Sequence, residues 1–375
     1  EKRTISLNDF VRQWDGIRED AIAVFERVGG SGWYVLGREV LRLERSLAAF
    51  WDLPYAVGTG NGLDAIEIAL RAGGLAPGER VLTTPLSAFA TSLAIVRAGG
   101  VPVFVDVDDR GLLDLDAARS VLEADPSLRF LVPVHLFGRP IDLEALEDLR
   151  KSFGLTVIED CAQSVGARWR GRPTGTVGAA AATSFYPTKN LGALGDGGGI
   201  LTADAGLAER ARSLRHYGQT QTYRHEVMGL NSRLDEVQAA LLSEVLLPRL
   251  DEWTARRRET AARYLNEIRC SRIILPVEPN PSEPCWHLFP VLVTGADRSA
   301  FVEHMRVSGV ATGIHYPTLI PNQAAWSGGA RFEVSRGLEN AARFARDEVS
   351  LPIHPYLTPD EVSRVIDASN AWAPG

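Results

Sequence analysis

Short apolar runs separated by helical patterns or turns recur through the first half of the chain. Residues 80–85 (RVLTTP), 101–108 (VPVFVDVD), 129–138 (RFLVPVHLFG) and 155–164 (LTVIEDCAQS) are all rich in β-branched residues. Such runs are typical of parallel strands that are buried on both faces and joined by crossover helices. The alternation therefore predicts a three-layer α/β domain with a mainly parallel sheet.

Two further apolar runs, 180–187 (AAATSFYP) and 198–204 (GGILTAD), are predicted to extend the same sheet. Upstream, residues 58–62 read as a glycine-rich turn. The pattern over 63–74 has helical spacing of its apolar positions. We therefore expect a helix to begin directly after a flexible, glycine-rich loop.

A long helical pattern runs from Leu234 to about Leu265 and is interrupted by Pro248. Proline within a helix removes a hydrogen bond and clashes with the preceding turn, so we expect a kink or a division there. We place a domain boundary at this point. Residues 1–250 would form the large domain, whose N-terminal helical segment could contact the small domain. Residues 251–375 would form a small α+β domain.

Composition and charge narrow the range of partners. The net charge is -7 and the basic residues are scattered, so nothing favours binding to nucleic acid. No apolar run approaches the roughly 20 residues of a membrane-spanning helix. The three cysteines lack metal-type spacing, and the N-terminus does not resemble a signal peptide. We expect a soluble cytoplasmic protein with no metal site.

Lysine is nearly absent from this chain. Among 40 basic residues only Lys2, Lys151 and Lys189 are lysines. Arginine stays protonated and does not form imines, whereas a lysine amine can lose its proton and attack a carbonyl. We interpret Lys2 and Lys151 as surface residues. Lys189 follows a strand-like run and precedes a glycine-rich loop, so we expect it to form an imine; the alternative is an exposed loop lysine.

Other residues with suitable chemistry lie near predicted strand ends and helix starts. Asp160 ends an apolar run, where a carboxylate could keep the pyridine nitrogen of pyridoxal phosphate (PLP) protonated; the alternative is a cap for the following turn. Gly60, Asn61 and Gly62 begin a predicted helix, a position that favours a phosphate, although Asn61 could be an ordinary N-cap. Ser184 could donate its hydroxyl to the same phosphate.

Six stretches of the sequence together resemble one family. They are SGWYVLGREV, GTGNGLDA, VIEDCAQSVGA, SFYPTKNLGALGDGG, NSRLDEVQAALL and ATGIHYPT, in that order and over almost the whole chain. This set resembles the DegT/DnrJ/EryC1/StrS family of PLP-dependent sugar aminotransferases, which have the fold type I (aspartate aminotransferase-like) architecture. The resemblance implies a homodimer with shared active sites.

The resemblance also implies a reaction. Glutamate would convert PLP to pyridoxamine phosphate, and a keto sugar linked to a nucleotide would then take the amino group. The substrate would be a dTDP-linked 3-keto- or 4-keto-6-deoxyhexose in amino-sugar biosynthesis.

The resemblance assigns the cofactor contacts residue by residue. Lys189 would be the Schiff-base lysine and the acid/base that moves a proton between cofactor and substrate. Asp160 would pair with the pyridinium nitrogen, and Gln163 would lie near the ring hydroxyl. Asn231 would reach the phosphate bound by the neighbouring subunit. The phosphate of the same subunit would be held by Gly60, Asn61 and Ser184.

The chain departs from the family pattern at one cofactor contact. The family usually has an aromatic residue that stacks on the PLP ring in a Thr-aromatic-x-Ala-Thr pattern, but here Ala88 takes that position and Phe89 follows it. Either Phe89 stacks or it is a plain core aromatic. His135 and Tyr316 are candidate substrate contacts. A satisfied strand-end residue is the alternative for His135, and ring packing between domains is the alternative for Tyr316.

Three rival functions follow from the same residues. A PLP-dependent sugar dehydratase is disfavoured because that branch replaces the lysine by histidine. A regulatory PLP-binding protein is a second alternative, because the family name began with regulators. A dinucleotide-dependent oxidoreductase is disfavoured because no Gly-x-Gly-x-x-Gly follows the first strand.

Overall fold

The computed structural model of the chain describes residues 4–294 and 298–373. Its strands are short, and most of those in the first half match the apolar runs of the sequence. In chain order they are β1 (Tyr55–Thr59), β2 (Arg80–Thr83), β3 (Val101–Phe104), β4 (Phe130–Val132), β5 (Thr156–Asp160), β6 (Arg168–Trp169), β7 (Arg172–Pro173), β8 (Ala180–Ser184), β9 (Gly198–Thr202), β10 (Gln219–Gln221), β11 (Arg224–His225), β12 (Ile273–Ile274), β13 (Ser282–Glu283), β14 (Phe289–Val293), β15 (Glu333–Val334) and β16 (Glu348–Leu351).

The helices of the described residues range from amphipathic ones, such as Arg38–Trp51 and Glu339–Asp347, to Gly62–Ala72, which is buried almost all round. In chain order they are α1 (Phe10–Ser31), α2 (Arg38–Trp51), α3 (Gly62–Ala72), α4 (Phe89–Arg97), α5 (Leu115–Ala124), α6 (Leu143–Phe153), α7 (Ala205–Leu214), α8 (Glu236–Ala240), α9 (Leu250–Glu267), α10 (Arg298–Val307), α11 (Glu339–Asp347) and α12 (Pro359–Asn370).

The central sheet has the strand order β1-β9-β8-β5-β4-β2-β3-β15. Neighbouring strands are parallel except where β9 pairs antiparallel with β1 and β8. Apolar clusters pack on both faces of this sheet. The predicted three-layer α/β architecture is confirmed, including the extension by the two runs that flank Lys189.

Two details of the sheet differ from the sequence-based prediction. The strand β1 was not predicted, because its short run ends inside the glycine-rich segment that we interpreted as a turn; Gly58 is in fact paired with Gly199. The edge strand β15 comes from the C-terminal part of the chain and pairs with β3. A two-residue strand carries too weak an alternating pattern to be recognised in sequence.

The helical pattern around Pro248 is divided as expected. A π-helical turn over Leu241–Leu246 and a 3-10 turn over Leu247–Arg249 separate α8 from α9. Proline has no N–H to donate and its ring clashes with the preceding turn of a helix, which explains the break at this position. The helix α9 then leads into the C-terminal part of the chain.

A second, smaller sheet in the C-terminal part has the antiparallel order β12-β14-β16. It packs with α9, α10 and α12 around an apolar cluster that also contains Ile5. Arg12 of α1 donates two hydrogen bonds to Glu361 of α12, at 2.7 and 2.8 Å. The N-terminal segment thus contacts the small sheet, while the division between residues 1–250 and 251–375 stays a prediction.

The structure also bears on the expectations about membrane-spanning helices, cysteines and surface lysines. Among the described residues, no helix combines the length and the apolar character that crossing a bilayer requires. Cys161, Cys270 and Cys285 are free thiols. Lys151 is exposed and pairs with Glu147 at 2.8 Å, as expected of a surface lysine. Lys2 lies outside the described residues.

Candidate active site

Asp160 lies at the carboxyl end of β5, in the middle of the central sheet, and its side chain is buried. Its Oδ2 accepts a hydrogen bond from the Thr91 hydroxyl at 2.8 Å, and its Oδ1 accepts one from the N–H of Ala162 at 3.0 Å. Burial raises the pKa of Asp160; these hydrogen bonds and the charge of Lys189 oppose that rise. The carboxylate is fixed but incompletely compensated, which suits it to face a cation.

Lys189 follows the end of β8 in a turn closed by a hydrogen bond from its N–H to the carbonyl of Tyr186, at 2.8 Å. Burial lowers the pKa of the Lys189 amine, and the negative charge of Asp160 partly offsets that effect. A desolvated lysine is more readily a neutral amine, the form that attacks carbonyls and exchanges protons. The structure therefore favours the reactive interpretation over the exposed loop lysine.

Two glycines allow the start of α3 to lie directly against the ends of β8 and β9. A Cβ on Gly62 would lie 2.6 Å from the Cβ of Ser184, and a Cβ on Gly198 would lie 2.4 Å from the carbonyl carbon of Asn61. No other residue could occupy either position without moving the backbone. These close approaches build a narrow cradle between the helix start and the strand ends.

Gly60 and Asn61 have protein partners of their own. The N–H of Gly60 donates to the Oγ of Ser232 at 3.0 Å. The Oδ1 of Asn61 accepts from the N–H of Asp64 at 2.8 Å, so Asn61 is the N-cap of α3, as its alternative interpretation had it. Both residues shape the cradle, and their direct contact with a phosphate stays a prediction.

The backbone N–H groups of the cradle that remain free belong to the two residues that follow Asn61. The N–H groups of Gly62 and Leu63 have no hydrogen-bond partner among the described residues. The Oγ of Ser184 accepts from the N–H of Tyr186 at 3.2 Å, which leaves its own proton available. Unpaired N–H groups at a helix N-terminus are suited to an anion. The cradle can therefore hold a phosphate with two N–H groups and a hydroxyl.

Gln163 and Tyr316, which the sequence singled out separately, form one hydrogen-bonded pair. The Oε1 of Gln163 accepts from the N–H of Phe137 at 2.6 Å, and its Nε2 donates to the Tyr316 hydroxyl at 3.2 Å. Burial raises the pKa of Tyr316 to about 12, and the charge of Asp160 adds to that rise. The Tyr316 hydroxyl is therefore protonated at neutral pH.

Ala88 and Phe89 lie where β2 leads into α4. Ala88 immediately precedes the helix, and Phe89 is its first residue. The Phe89 ring makes an edge contact with Trp326, with 5.9 Å between ring centroids. This contact supports a packing role for Phe89. Stacking of either residue on a cofactor ring stays a prediction.

His135 is fully buried and both of its ring nitrogens have protein partners. Its Nδ1 accepts from the N–H of Ile141 at 3.1 Å, so the proton resides on Nε2, which faces the Oε2 of Glu159 at 2.9 Å. No ring nitrogen remains for a substrate. The structure thus favours the alternative interpretation, a satisfied residue at a strand end, and we assign no substrate contact to His135.

Asn231 differs from the other candidates because it is exposed. Its backbone pairs with His216 in an isolated bridge that follows the β10–β11 hairpin. A side chain that reaches a second subunit must be exposed in a single chain. The placement is compatible with the predicted role, which stays a prediction.

Three residues of the site were not singled out from the sequence. Thr91 lies in the stretch SAFAT and Ser232 lies in the stretch NSRLDE. Both stretches were already connected with the cofactor site, and this was the signal that could have identified the two residues. His287 accompanies Lys189 through Asn190: the Nδ1 of His287 lies 3.2 Å from the Oδ1 of Asn190. Its position far along the chain gave no signal, because only folding brings it to the lysine.

These groups fit the cofactor that the sequence resemblance implies. An amine of lowered pKa, a buried carboxylate and a phosphate cradle are the donor set that an aldehyde-bearing pyridine phosphate requires. In this structure they are contributed by Lys189, Asp160, and the cradle of Gly62, Leu63 and Ser184.

Comparison with known proteins identifies the family of the chain. The model of the DegT/DnrJ/EryC1/StrS aminotransferase family matches residues 15–370. A dTDP-3-amino-3,4,6-trideoxy-alpha-D-glucose transaminase from Streptomyces venezuelae is 42% identical, over 100% of this chain and 97% of that protein. Such identity over the full length implies a shared fold and a shared general chemistry.

Solved structures give the same result. DesV from S. venezuelae, in complex with a ketimine intermediate, superposes with a TM-score of 0.93 at 40% identity and covers 99% of both chains. NtdA from Bacillus subtilis, with the bound cofactor PMP, has a TM-score of 0.85 at 28% identity over 94% of this chain and 80% of that one. The chain is accordingly a transaminase. It belongs to the DegT/DnrJ/EryC1/StrS aminotransferase family.

Proposed function

We propose that this transaminase moves an amino group from glutamate to a keto sugar linked to a nucleoside diphosphate, with PLP as cofactor. The observation that carries the proposal is the phosphate cradle at the strand ends, together with a lysine, Lys189, whose amine feels the charge of the buried Asp160 carboxylate. A lysine of ordinary pKa in open solvent could not perform this role.

Each part of the site has a task in holding the cofactor. When bound, PLP supplies an aldehyde carbon that takes the amino group and a protonated ring that withdraws electrons from the reacting carbon. Asp160 would hold the proton on the ring nitrogen. Ser184 and the free N–H groups at the start of α3 would fix the phosphate. Gln163 would lie near the ring hydroxyl, as the family resemblance implies.

Lys189 carries the proton transfer of the reaction. A neutral amine can take the proton from the substrate carbon, and the resulting ammonium can return it to another atom. Burial lowers the pKa of Lys189, which favours the neutral amine, and the negative charge of Asp160 acts in the opposite direction, in favour of the ammonium. The same group can therefore act as base and as acid.

The substrate class rests on the relatives. The S. venezuelae relative is named for a dTDP-linked 3-amino sugar. This supports a dTDP-linked 3-keto-6-deoxyhexose as the acceptor here, ahead of the 4-keto isomer. The hydroxyl of Tyr316, protonated beside the site, would be a donor for the sugar or for the cofactor ring.

The proposed active unit is a homodimer. Large apolar side chains are exposed in the single chain, among them Trp33 (63%), Tyr34 (58%), Tyr223 (91%) and Met228 (88%). Exposed aromatic and methionine side chains are typical of surfaces that a partner covers. Asn231 lies on the same exposed segment as Met228 and would reach the cofactor phosphate of the partner subunit.

The proposal has a direct spectroscopic test. Addition of glutamate to the PLP form should remove its absorbance band near the visible edge, and addition of the correct keto sugar should restore it. A panel of dTDP-linked 3-keto and 4-keto sugars then identifies the acceptor. A band that persists with glutamate would indicate a regulatory PLP-binding protein instead. Restoration by the 4-keto isomer alone would contradict the 3-keto assignment.

A further inference from the structure

A buried carboxyl, a hydroxyl and an imidazole form a continuous hydrogen-bonded chain next to the site. Glu348, the first residue of β16, is 0% exposed. Its Oε1 lies 2.5 Å from the Oγ of Ser350, and that Oγ lies 2.9 Å from the Nδ1 of His315. The Oε2 of Glu348 accepts the backbone N–H of His315 at 2.6 Å. Three side chains are thus connected in series.

The backbone holds this chain in register. Glu348 and Ser350 are two residues apart in a strand, so their side chains share one face. The N–H of Ser350 donates to the carbonyl of Gly313 at 2.8 Å, and the N–H of Gly313 donates to the carbonyl of Ser350 at 3.0 Å. The His315 ring lies over Gly313, where a Cβ would come within 2.7 Å of its Cε1.

The single proton of Ser350 links the other two groups. When Glu348 is ionised, Ser350 donates to it, and the His315 Nδ1–H must then donate to the Ser350 Oγ. When Glu348 is protonated, it donates to Ser350, and Ser350 donates to Nδ1. In the first arrangement the Nε2 of His315 has a lone pair, and in the second it carries the proton. The state of Glu348 therefore sets the tautomer of His315.

Burial and the charges around Glu348 and His315 allow both hydrogen-bond arrangements. Burial raises the pKa of Glu348 to about 8, although the hydrogen bonds from His315 and Ser350 and the charge of Arg298 act to lower it. Burial and the charge of Lys189 lower the pKa of His315 to about 4, so its ring is neutral at physiological pH. Tyr316, which senses the charge of Glu348, stays protonated.

The charge of Lys189 acts on His315 and on His287. The charge of Lys189 lowers the pKa of His315 and of His287, and His315 in turn lowers the pKa of His287. The Nε2 of His315 has no hydrogen-bond partner among the described residues. It is the one end of the Glu348–Ser350–His315 chain that is open to another group.

We propose that Glu348, acting through Ser350, sets which ring nitrogen of His315 carries the proton. The open Nε2 of His315 is then a donor when Glu348 is protonated and an acceptor when Glu348 is ionised. This rests on the proposed function, because it makes Glu348 and Ser350 positioning residues for a histidine that adjoins Tyr316 of that site. When the chain loses a proton, that proton leaves from the Nε2 of His315, the Ser350 proton moves to Nδ1 and the Glu348 proton moves to Ser350, which leaves a carboxylate at position 348.

The tautomer of His315 is the direct readout. Full-length protein, ¹⁵N-labelled in histidine, is titrated from about pH 6 to about pH 10 while the ring nitrogens are recorded, and H315Q identifies the His315 signals. We expect the Nε2–H form at the low end and the Nδ1–H form at the high end, with a midpoint near 8. His135 is an internal control, because the Ile141 N–H on its Nδ1 fixes its tautomer throughout.

Two variants separate a relay from a merely structural cluster. In E348Q the amide oxygen must accept the backbone N–H of His315, so the amide nitrogen faces Ser350 and can only donate to it. We therefore expect the Nε2–H tautomer of His315 over the whole pH range. S350A should make the His315 tautomer independent of pH, because the link between the carboxyl group and the ring is removed. A wild-type ring that keeps one tautomer, or an E348Q ring that titrates like the wild type, overturns the proposal. S350A gives the answer if E348Q does not fold.

Kinetics supply the second readout. E348Q should lower kcat about tenfold at neutral pH with little change in KM, and E348Q/H315Q should lose no more than H315Q alone. Fully additive losses overturn the relay. Absence of transamination with an intact tautomer switch would instead contradict the proposed function, so the two failures are distinguishable.

Discussion

Glu159 and Asp160 are adjacent in β5, are both buried, and point to opposite sides of the strand. The Glu159 carboxylate accepts four hydrogen bonds, from the ring of His135 and from the N–H groups of Gly175, Val177 and Gly178, at 2.7 to 2.9 Å. Burial acts to raise its pKa, but these donors outweigh burial and hold the pKa below its ordinary value.

Asp160 has a smaller set of donors, and its pKa is raised instead. Thr91 and Ala162 fix its orientation without compensating its charge. Under the proposed function, one strand end supplies a structural carboxylate, Glu159, and a functional one, Asp160. The Glu159 carboxylate accepts four hydrogen bonds and stabilises the fold. The Asp160 carboxylate has fewer donors and can still pair with a cation that is not part of the chain.

The largest effect is expected at Lys189, which completes the functional side of this comparison. Lys189→Ala and Lys189→Arg should each reduce kcat by at least about 10⁴-fold, because neither side chain can form the imine or exchange the proton. Thermal denaturation should show a folded protein. Lys151→Arg, at the exposed lysine, is the control and should retain wild-type turnover. Wild-type-like rates in Lys189→Ala would remove this residue from the mechanism.

Asp160→Asn tests the functional carboxylate itself. We expect kcat to fall by roughly 10²- to 10³-fold, because the amide cannot stabilise a protonated ring nitrogen. Stability should be unchanged or slightly higher, because an incompletely compensated buried charge is removed. Urea unfolding and steady-state kinetics measure the two effects. A large loss of stability with normal kcat would place Asp160 on the structural side with Glu159.

Glu159→Gln should give the opposite result. Its four donors would face an amide, and we expect the free energy of unfolding to fall by about 3 kcal/mol, with kcat of the folded protein nearly unchanged. Because the folded pKa of Glu159 is lowered, its stabilisation is present above the ordinary glutamate value, about 4.3, and is lost as pH falls through the folded value.

The difference in the free energy of unfolding between wild type and Glu159→Gln should therefore be largest at neutral pH and should become smaller in acid. Urea unfolding at pH 7 and below about pH 4 measures it. A difference that does not depend on pH would show that the glutamate carboxylate is not the source of the stabilisation. A large loss of kcat in fully folded Glu159→Gln would erase the contrast with Asp160.

The smallest effect is expected at Asn231, which would serve the site without any role in the fold. Asn231→Ala should raise the dissociation constant for PLP about tenfold, since one hydrogen bond to a charged group is worth about 1.5–3 kcal/mol. Asn266→Ala, at an exposed asparagine of α9, is the matched control.

Mixed dimers show whether Asn231 acts across the subunit boundary. Dimers of one Asn231→Ala chain and one Lys189→Ala chain should contain one intact site, because the lysine and the asparagine of that site come from different chains. We expect about half the wild-type turnover, and the active site of the mixed dimer should bind PLP with wild-type affinity. A mixed dimer whose active site binds PLP as weakly as the Asn231→Ala homodimer would contradict the shared site.

The sequence determined the layers, the strand runs around Lys189, the break at Pro248 and the two central site residues. These follow from local information, because apolar periodicity and the chemistry of a rare lysine are readable within a few residues. It could not determine that His135 is fully used by Glu159 and Ile141. A histidine at a strand end has the same local pattern whether or not its nitrogens are occupied.

Tertiary structure alone decided which groups meet. Glu348 and Ser350 belong to β16 and His315 to another segment, and they form one hydrogen-bonded chain only because β16 pairs beside Gly313. The opposite pKa shifts of Glu159 and Asp160 likewise depend on loops that follow β5 and on α4. Burial and hydrogen-bond partners set the chemistry of an ionisable group, and both are properties of the folded chain rather than of the residue.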